Sequence, residues 1–177
     1  MIRVRGEGTD VLTVAGLLVE GGLNVDDLRL LPGSPNVSNR AATGAEVFSR
    51  GAGFETDYAL AVLENWTVVT NSSLRGMVDE QVSRDLSRGR RVFAFVSYGA
   101  NATHGFAWFV NGALVRAIFY EDFTLLGTEG DPLTEETLLD QPGDGRFVFG
   151  MMSLLTGVHL GDLVDAPYRV LVTNHAG

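Results

Sequence analysis

The chain has 177 residues, 45% hydrophobic and 20% charged, which is enough for one domain with a proper core and far from the signature of disorder. Its formal net charge of −9 disfavours nonspecific nucleic-acid binding, which needs cations against phosphates. Lys and Cys are absent, which excludes Schiff-base and P-loop lysine chemistry, thiolate catalysis, disulfides and Cys-ligated zinc.

In chain order, the apolar spacing of Val11, Leu12, Val14, Ala15, Leu18 and Val19 predicts a helix over Thr9 to Glu20, capped by Thr9 or Asp10 and stopped by Gly21-Gly22. A strand through Val11–Val14 is the competing reading. Residues 32–53, rich in Gly and Pro, are expected to form a long surface loop with at most one short helical turn. Tyr58–Leu63 and Trp66–Thr70 are β-prone runs joined by Glu64-Asn65, a hairpin pattern closed by Asn71-Ser72-Ser73. Met77, Val78, Val82 and Leu86 give the segment 77–86 one apolar helical face.

Three consecutive strands follow, at Arg91–Tyr98, Gly105–Val110 and Ala113–Tyr120. Asn111-Gly112 joins the last two, because both central positions of a type I′ turn need positive φ. A loop at Gly127–Pro132, a helix from Thr134, a buried helix over Phe147–Leu155 and a turn at Gly161–Val164 come next. Tyr168–Thr173 reads as a final strand at the sheet edge. These elements predict a single α+β domain over 1–177, an antiparallel meander packed against several helices.

Trp66, Leu86-Ser-Arg-Gly, Asn101-Ala102, Phe106-Ala-Trp-Phe-Val-Asn-Gly-Ala-Leu-Val, Gly127, Asp131-Pro132, Leu154-Leu-Thr-Gly-Val-His-Leu and Asp165-Ala-Pro form a recognisable pattern. Over roughly residues 58–170 the chain resembles an uncharacterised family of small bacterial proteins, a domain of unknown function. The resemblance implies an antiparallel sheet with flanking helices, and no activity, cofactor or catalytic residue.

Arg used throughout in place of Lys, with abundant Ala, Gly, Val and Leu, reads as the bias of a GC-rich bacterial genome. The charged opening Met1–Gly8 and the lack of an 18-residue apolar run predict a cytoplasmic protein with no membrane partner. The Asn-X-Ser/Thr triplets at Asn36, Asn65, Asn71 and Asn101 are then chance matches.

No nucleophile elbow, zinc helix or dinucleotide fingerprint is present. Of three histidines, His159 reads as a connector residue and His175 lies at the terminus, whereas His104 stands in the polar loop Asn101-Ala-Thr-His-Gly between aromatic strands. Glu121, at the end of the third meander strand, would act as a general acid if it faced inward beside the aromatics, since desolvation raises a carboxyl pKa. Glu121 and His104 are thus the catalytic candidates, with Trp66, Tyr98, Asn101, Trp108, Arg116 and Tyr120 as candidate ligand contacts. A metal site from His104, Glu121 and Asp122 lacks a recognisable ligand spacing, and no cofactor is expected. The leading reading is a noncatalytic domain that binds a protein partner or a small apolar ligand. The alternative is a cofactor-independent cyclase, isomerase or hydrolase with an aromatic-lined pocket.

Overall fold

The computed structural model describes residues 13–48, 58–71, 79–99, 102–140 and 142–172. Among these residues nine strands build one sheet: β1 (Thr13–Glu20), β2 (Asn36–Thr43), β3 (Tyr58–Leu63), β4 (Trp66–Thr70), β5 (Arg91–Tyr98), β6 (Thr103–Val110), β7 (Ala113–Glu121), β8 (Thr124–Glu129) and β9 (Pro167–Val172). Their order is β2-β9-β3-β4-β1-β5-β6-β7-β8, and every neighbouring pair is antiparallel. The helices are α1 (Val25–Leu30), α2 (Gly44–Phe48), α3 (Glu80–Leu86), α4 (Gly145–Thr156) and α5 (Leu160–Asp165), with a 3-10 turn at Thr134–Leu138.

The helix expected over Thr9 to Glu20 is instead strand β1; residues 9–12 lie outside the described ones. β1 sits between β4 and β5 at the middle of the sheet. Val14, Ala15, Leu17, Leu18 and Val19 are therefore all buried, three on one face and two on the other. A strand covered on both faces loses the alternation that identifies strands, and its apolar run also fits a helical stripe.

The loop expected over 32–53 contains the edge strand β2, paired only with β9, and the short helix α2; residues 49–53 lie outside the described ones. β9, expected at the edge, is interior between β2 and β3. Its Pro167 occupies the first strand position, where the missing N–H is tolerated. The loop expected from Gly127 begins later, because β8 continues to Glu129 as the opposite sheet edge. Ser72, Ser73, Met77 and Val78 lie outside the described residues, and the helix expected from Met77 is described from Glu80.

The hairpins β3–β4 and β6–β7 stand where the sequence sets them. Asn111 and Gly112 have φ of 51° and 79°, as a type I′ turn requires. Between Trp108↔Arg116 and Phe109↔Leu114 the β6–β7 register shifts. One extra residue, Val115, is thus inserted in β7, a bulge that re-aims the residues beyond it.

The two sheet faces carry different loads. One bears Phe93, Phe95, Phe106, Trp108, Ile118 and Tyr120, packed under α4 through Phe147, Val148, Met151 and Met152. Asp144 caps α4 by accepting from the Phe147 N–H at 3.0 Å, and Gly157 ends it in the left-handed region at φ 77°. The other face bears Leu17, Val92, Ala94, Val96, Ala107 and Phe109, with Leu28 of α1 and Val82 and Leu86 of α3 against it. α1 and α3 are short helices of six and seven residues, and among the described residues they leave much of the β5–β8 surface uncovered. Among the described residues no helix is long and apolar enough to cross a membrane.

Candidate functional site

Trp66 and Trp108, the tryptophans taken as candidate ligand contacts, are packed core. Phe93 stacks on Phe106 with centroids 5.3 Å apart, Trp66 meets Trp108 at 6.3 Å, and Phe147 of α4 closes on Phe106 at 6.0 Å. The Arg91 guanidinium stands 5.3 Å from the Trp66 ring centroid. Spacings of this size are those of interlocked rings.

His104 and Tyr120 are cross-strand neighbours on that same face, near the start of α4. His104 is 8% exposed and shares a hydrogen bond between its Nδ1 and the Ser97 hydroxyl at 3.1 Å. Gly145, the first residue of α4, passes so close that a Cβ there would stand 2.8 Å from Ser97 Oγ. Burial pushes the His104 pKa down, and the nearby Asp144 carboxylate pulls it partly back. The Tyr120 hydroxyl is pushed up, first by burial and then by Glu136, with Arg116 opposing.

Arg116 lies buried in a closed ion pair. Its guanidinium donates to both carboxylate oxygens of Glu136 at 2.7 and 3.0 Å, to the Gly130 carbonyl at 2.9 Å and to Thr128 Oγ1. The pair ties the 3-10 turn to β7 and β8, and it engages the guanidinium bidentately. Glu121 is exposed at the end of β7, and Asp122 follows in a turn with φ 47°. The inward carboxyl beside aromatic surface is therefore not what forms. Tyr98 is half-buried on the opposite face, while Asn101 and His175 lie outside the described residues. Among the described residues no three His, Asp or Glu side chains gather to hold a metal ion.

A cavity of about 340 Å³ lies on the other face, over β5–β8 beside α3. Ala94, Ala107 and Ala117 are directly paired across β5, β6 and β7, and the row ends at Glu129 on β8. Three small side chains in register leave a trough across the strands. Phe109 and Leu114, themselves a pair, form one wall, and Phe119 forms the other. Phe119 can lie close to the sheet because its partner is Gly105, where a Cβ would overlap the ring and approach the Ile118 carbonyl to 2.7 Å.

α3 contributes Ser83 and Glu80 to the cavity, and Asp79 caps that helix by accepting from the Val82 N–H at 3.1 Å. Ser83 is 1% exposed, and among the described residues its hydroxyl has no hydrogen-bond partner. A buried orphan hydroxyl costs about 1–3 kcal/mol, so its position beside a cavity calls for a partner. The rim residues Glu80, Thr128 and Glu129 are exposed, which opens the trough to solvent. Arg84 donates to Glu80 at 2.7 Å and lies 6.0 Å from the Phe109 centroid.

None of the seven described candidate residues taken from the sequence lines this trough. The residues that do line it carried a signal nonetheless. Phe93-Ala94-Phe95, Phe106-Ala107-Trp108 and Arg116-Ala117-Ile118 each set one Ala between two large residues, and alternation sends the large pair to one face and the Ala to the other.

An α+β protein with a nine-stranded antiparallel sheet, helices on both faces and an open trough on the thinly covered one is the class that fold and site define. Within it, the chain belongs to a family of unknown function (DUF6461), whose model matches residues 54–174. The resemblance read from the sequence over 58–170 is thereby borne out, and the match spans every residue of the trough. No curated protein and no solved structure matches the chain.

Proposed function

We propose that this chain is a noncatalytic binding domain that takes a small, largely apolar ligand in the β5–β8 trough. The observation that carries the reading is the trough itself, with an alanine floor, aromatic walls and the orphan hydroxyl of Ser83 inside. Its volume falls at the lower end of small-molecule sites, roughly 300–1,000 Å³. A mostly apolar lining with one or two polar groups is what such sites use to combine affinity with orientation. Acid–base catalysis has less support: His104 is enclosed under α4, Glu121 is exposed at a strand end, and neither adjoins the cavity. The reading extends to a bacterial, cytoplasmic setting, supported by the lysine-free, Ala- and Gly-rich composition and the acidic net charge.

The test is a titration of the isotope-labelled chain with small apolar fragments, followed by amide shifts, beside an Ala107→Leu variant that fills the floor. Saturable shifts at Ala94, Ala107 and Ala117 in the native chain, absent in the filled variant at unchanged Tm, are expected. Shifts that persist in A107L would overturn the site.

A further inference from the structure

Building on the binding reading above, we propose that the ligand carries one positive charge, set against Glu129, at the end of an apolar body that reaches towards Ser83. The alanine row defines the axis. From Ala94 to Glu129 it crosses three strand intervals, about 14 Å at the usual spacing. The floor is apolar along that length until it meets the Glu129 carboxylate.

The charge balance at the rim is uneven. Glu80 is neutralised by Arg84 at 2.6 Å, and among the described residues no Arg lines the cavity. Among the described residues Glu129 has no side-chain partner. Among the described residues the rim therefore presents one uncompensated negative charge, in a chain whose net charge is already −9. Such a field attracts cations and repels carboxylates and phosphates.

Phe109 and Phe119 add walls whose ring faces favour an ammonium where they meet it. Ser83 supplies the inner polar contact, since its buried hydroxyl can donate or accept a hydrogen bond. A cavity of about 340 Å³ suits a small molecule and not a macromolecular face, which buries roughly 800 Å² on each partner. Together these features select a small primary or quaternary amine with an aliphatic or single-ring body.

The experiment is calorimetric and NMR titration of the full chain with hexylammonium, hexanol and hexanoate, in low and high salt. Hexylammonium is expected to bind about three- to tenfold more tightly than hexanol, the span of an exposed to partly shielded ion pair. Hexanoate is expected to bind most weakly. The ammonium preference should fall with added salt and vanish in Glu129→Gln, with hexanol affinity unchanged. Ser83→Ala tests the inner contact through 4-amino-1-butanol and butylammonium: only the amino alcohol should lose affinity.

Equal binding of all three hexyl probes in the trough would overturn the charge inference and leave the binding domain standing. Preference for hexanoate would do the same. No saturable shift at Ala107 from any probe would overturn both. A lysine-bearing peptide that binds tighter than hexylammonium, with shifts spreading beyond the trough, would overturn the small-molecule assignment.

Discussion

His104 shows how a single side chain acquires its properties from its neighbours. Its imidazole is enclosed by the strand face and the start of α4, shares a hydrogen bond with Ser97, and has its pKa pushed below the usual 6.5 by burial. Above pH 6.5 the ring is neutral in both folded and unfolded chains, so it adds no pH dependence. As pH falls through 6.5 the unfolded chain takes up the proton first, and the folded state loses stability until the lowered folded pKa is reached. The urea midpoint is therefore expected to drop between pH 7.5 and 5.5 by more in the native chain than in His104→Gln. Equal drops would show that His104 does not contribute to acid sensitivity. The buried tyrosines give the mirror case at high pH. The Tyr58 hydroxyl donates to the Pro32 carbonyl at 3.1 Å, and burial pushes its pKa up to about 12. Stability from Tyr58 is thus intact below pH 10 and lost as pH rises from 10 towards 12, since the unfolded phenol ionises first.

At the scale of elements, local chemistry decides the ends of helices while the neighbours of each strand decide its pattern. Asp144 opens α4 by accepting from Phe147 N–H, and Asp144→Ala is expected to lower stability by about 1 kcal/mol, within the 0.5–2 typical of a lost N-cap. Chemical denaturation checks the figure, and Asp144→Asn, which keeps the cap, should recover most of it. The β3–β4 hairpin and the β5–β7 meander were legible because Glu64-Asn65 and Asn111-Gly112 mark their turns and β-branched and aromatic residues fill them. β1 was not, because burial on both faces erased its alternation. The edge strands β2 and β8 were not either, because Asn36–Thr43 and Thr124–Glu129 have little apolar face to show. The trough was half-legible. Each Ala between large residues is visible in the sequence, but aligning Ala107 with Ala117 depends on the bulge at Val115, which no local signal announces.

At the scale of the whole molecule, one strand holds two half-sheets together. The family match covers β3 to β9, yet β4 and β5 do not pair with each other: β1 lies between them and pairs with both. Remove β1, and β2-β9-β3-β4 and β5-β6-β7-β8 each gain a raw edge, while Val68, Val69, Phe93 and Phe95 lose neighbours on both faces. α4 packs on β5 and β6, within the second half, so it would not replace β1 as the clasp, and the trough, whose floor begins at β5, would lie beside an exposed margin. A single truncation inside β1 tests the clasp more gently. Leu18 is fully buried among Val68, Phe93 and their neighbours, and Leu18→Ala is expected to cost about 2–5 kcal/mol, as cavity-forming core substitutions do. Val62→Ala, at an exposed position of β3, should stay within about 0.5 kcal/mol. The decisive variant lacks residues 1–20. It should lose its cooperative thermal transition and its near-ultraviolet signal, because the two half-sheets no longer share a core. If it unfolds cooperatively with a native-like spectrum, β4 and β5 can pair directly, and β1 is an insertion into a sheet that the remaining strands already specify.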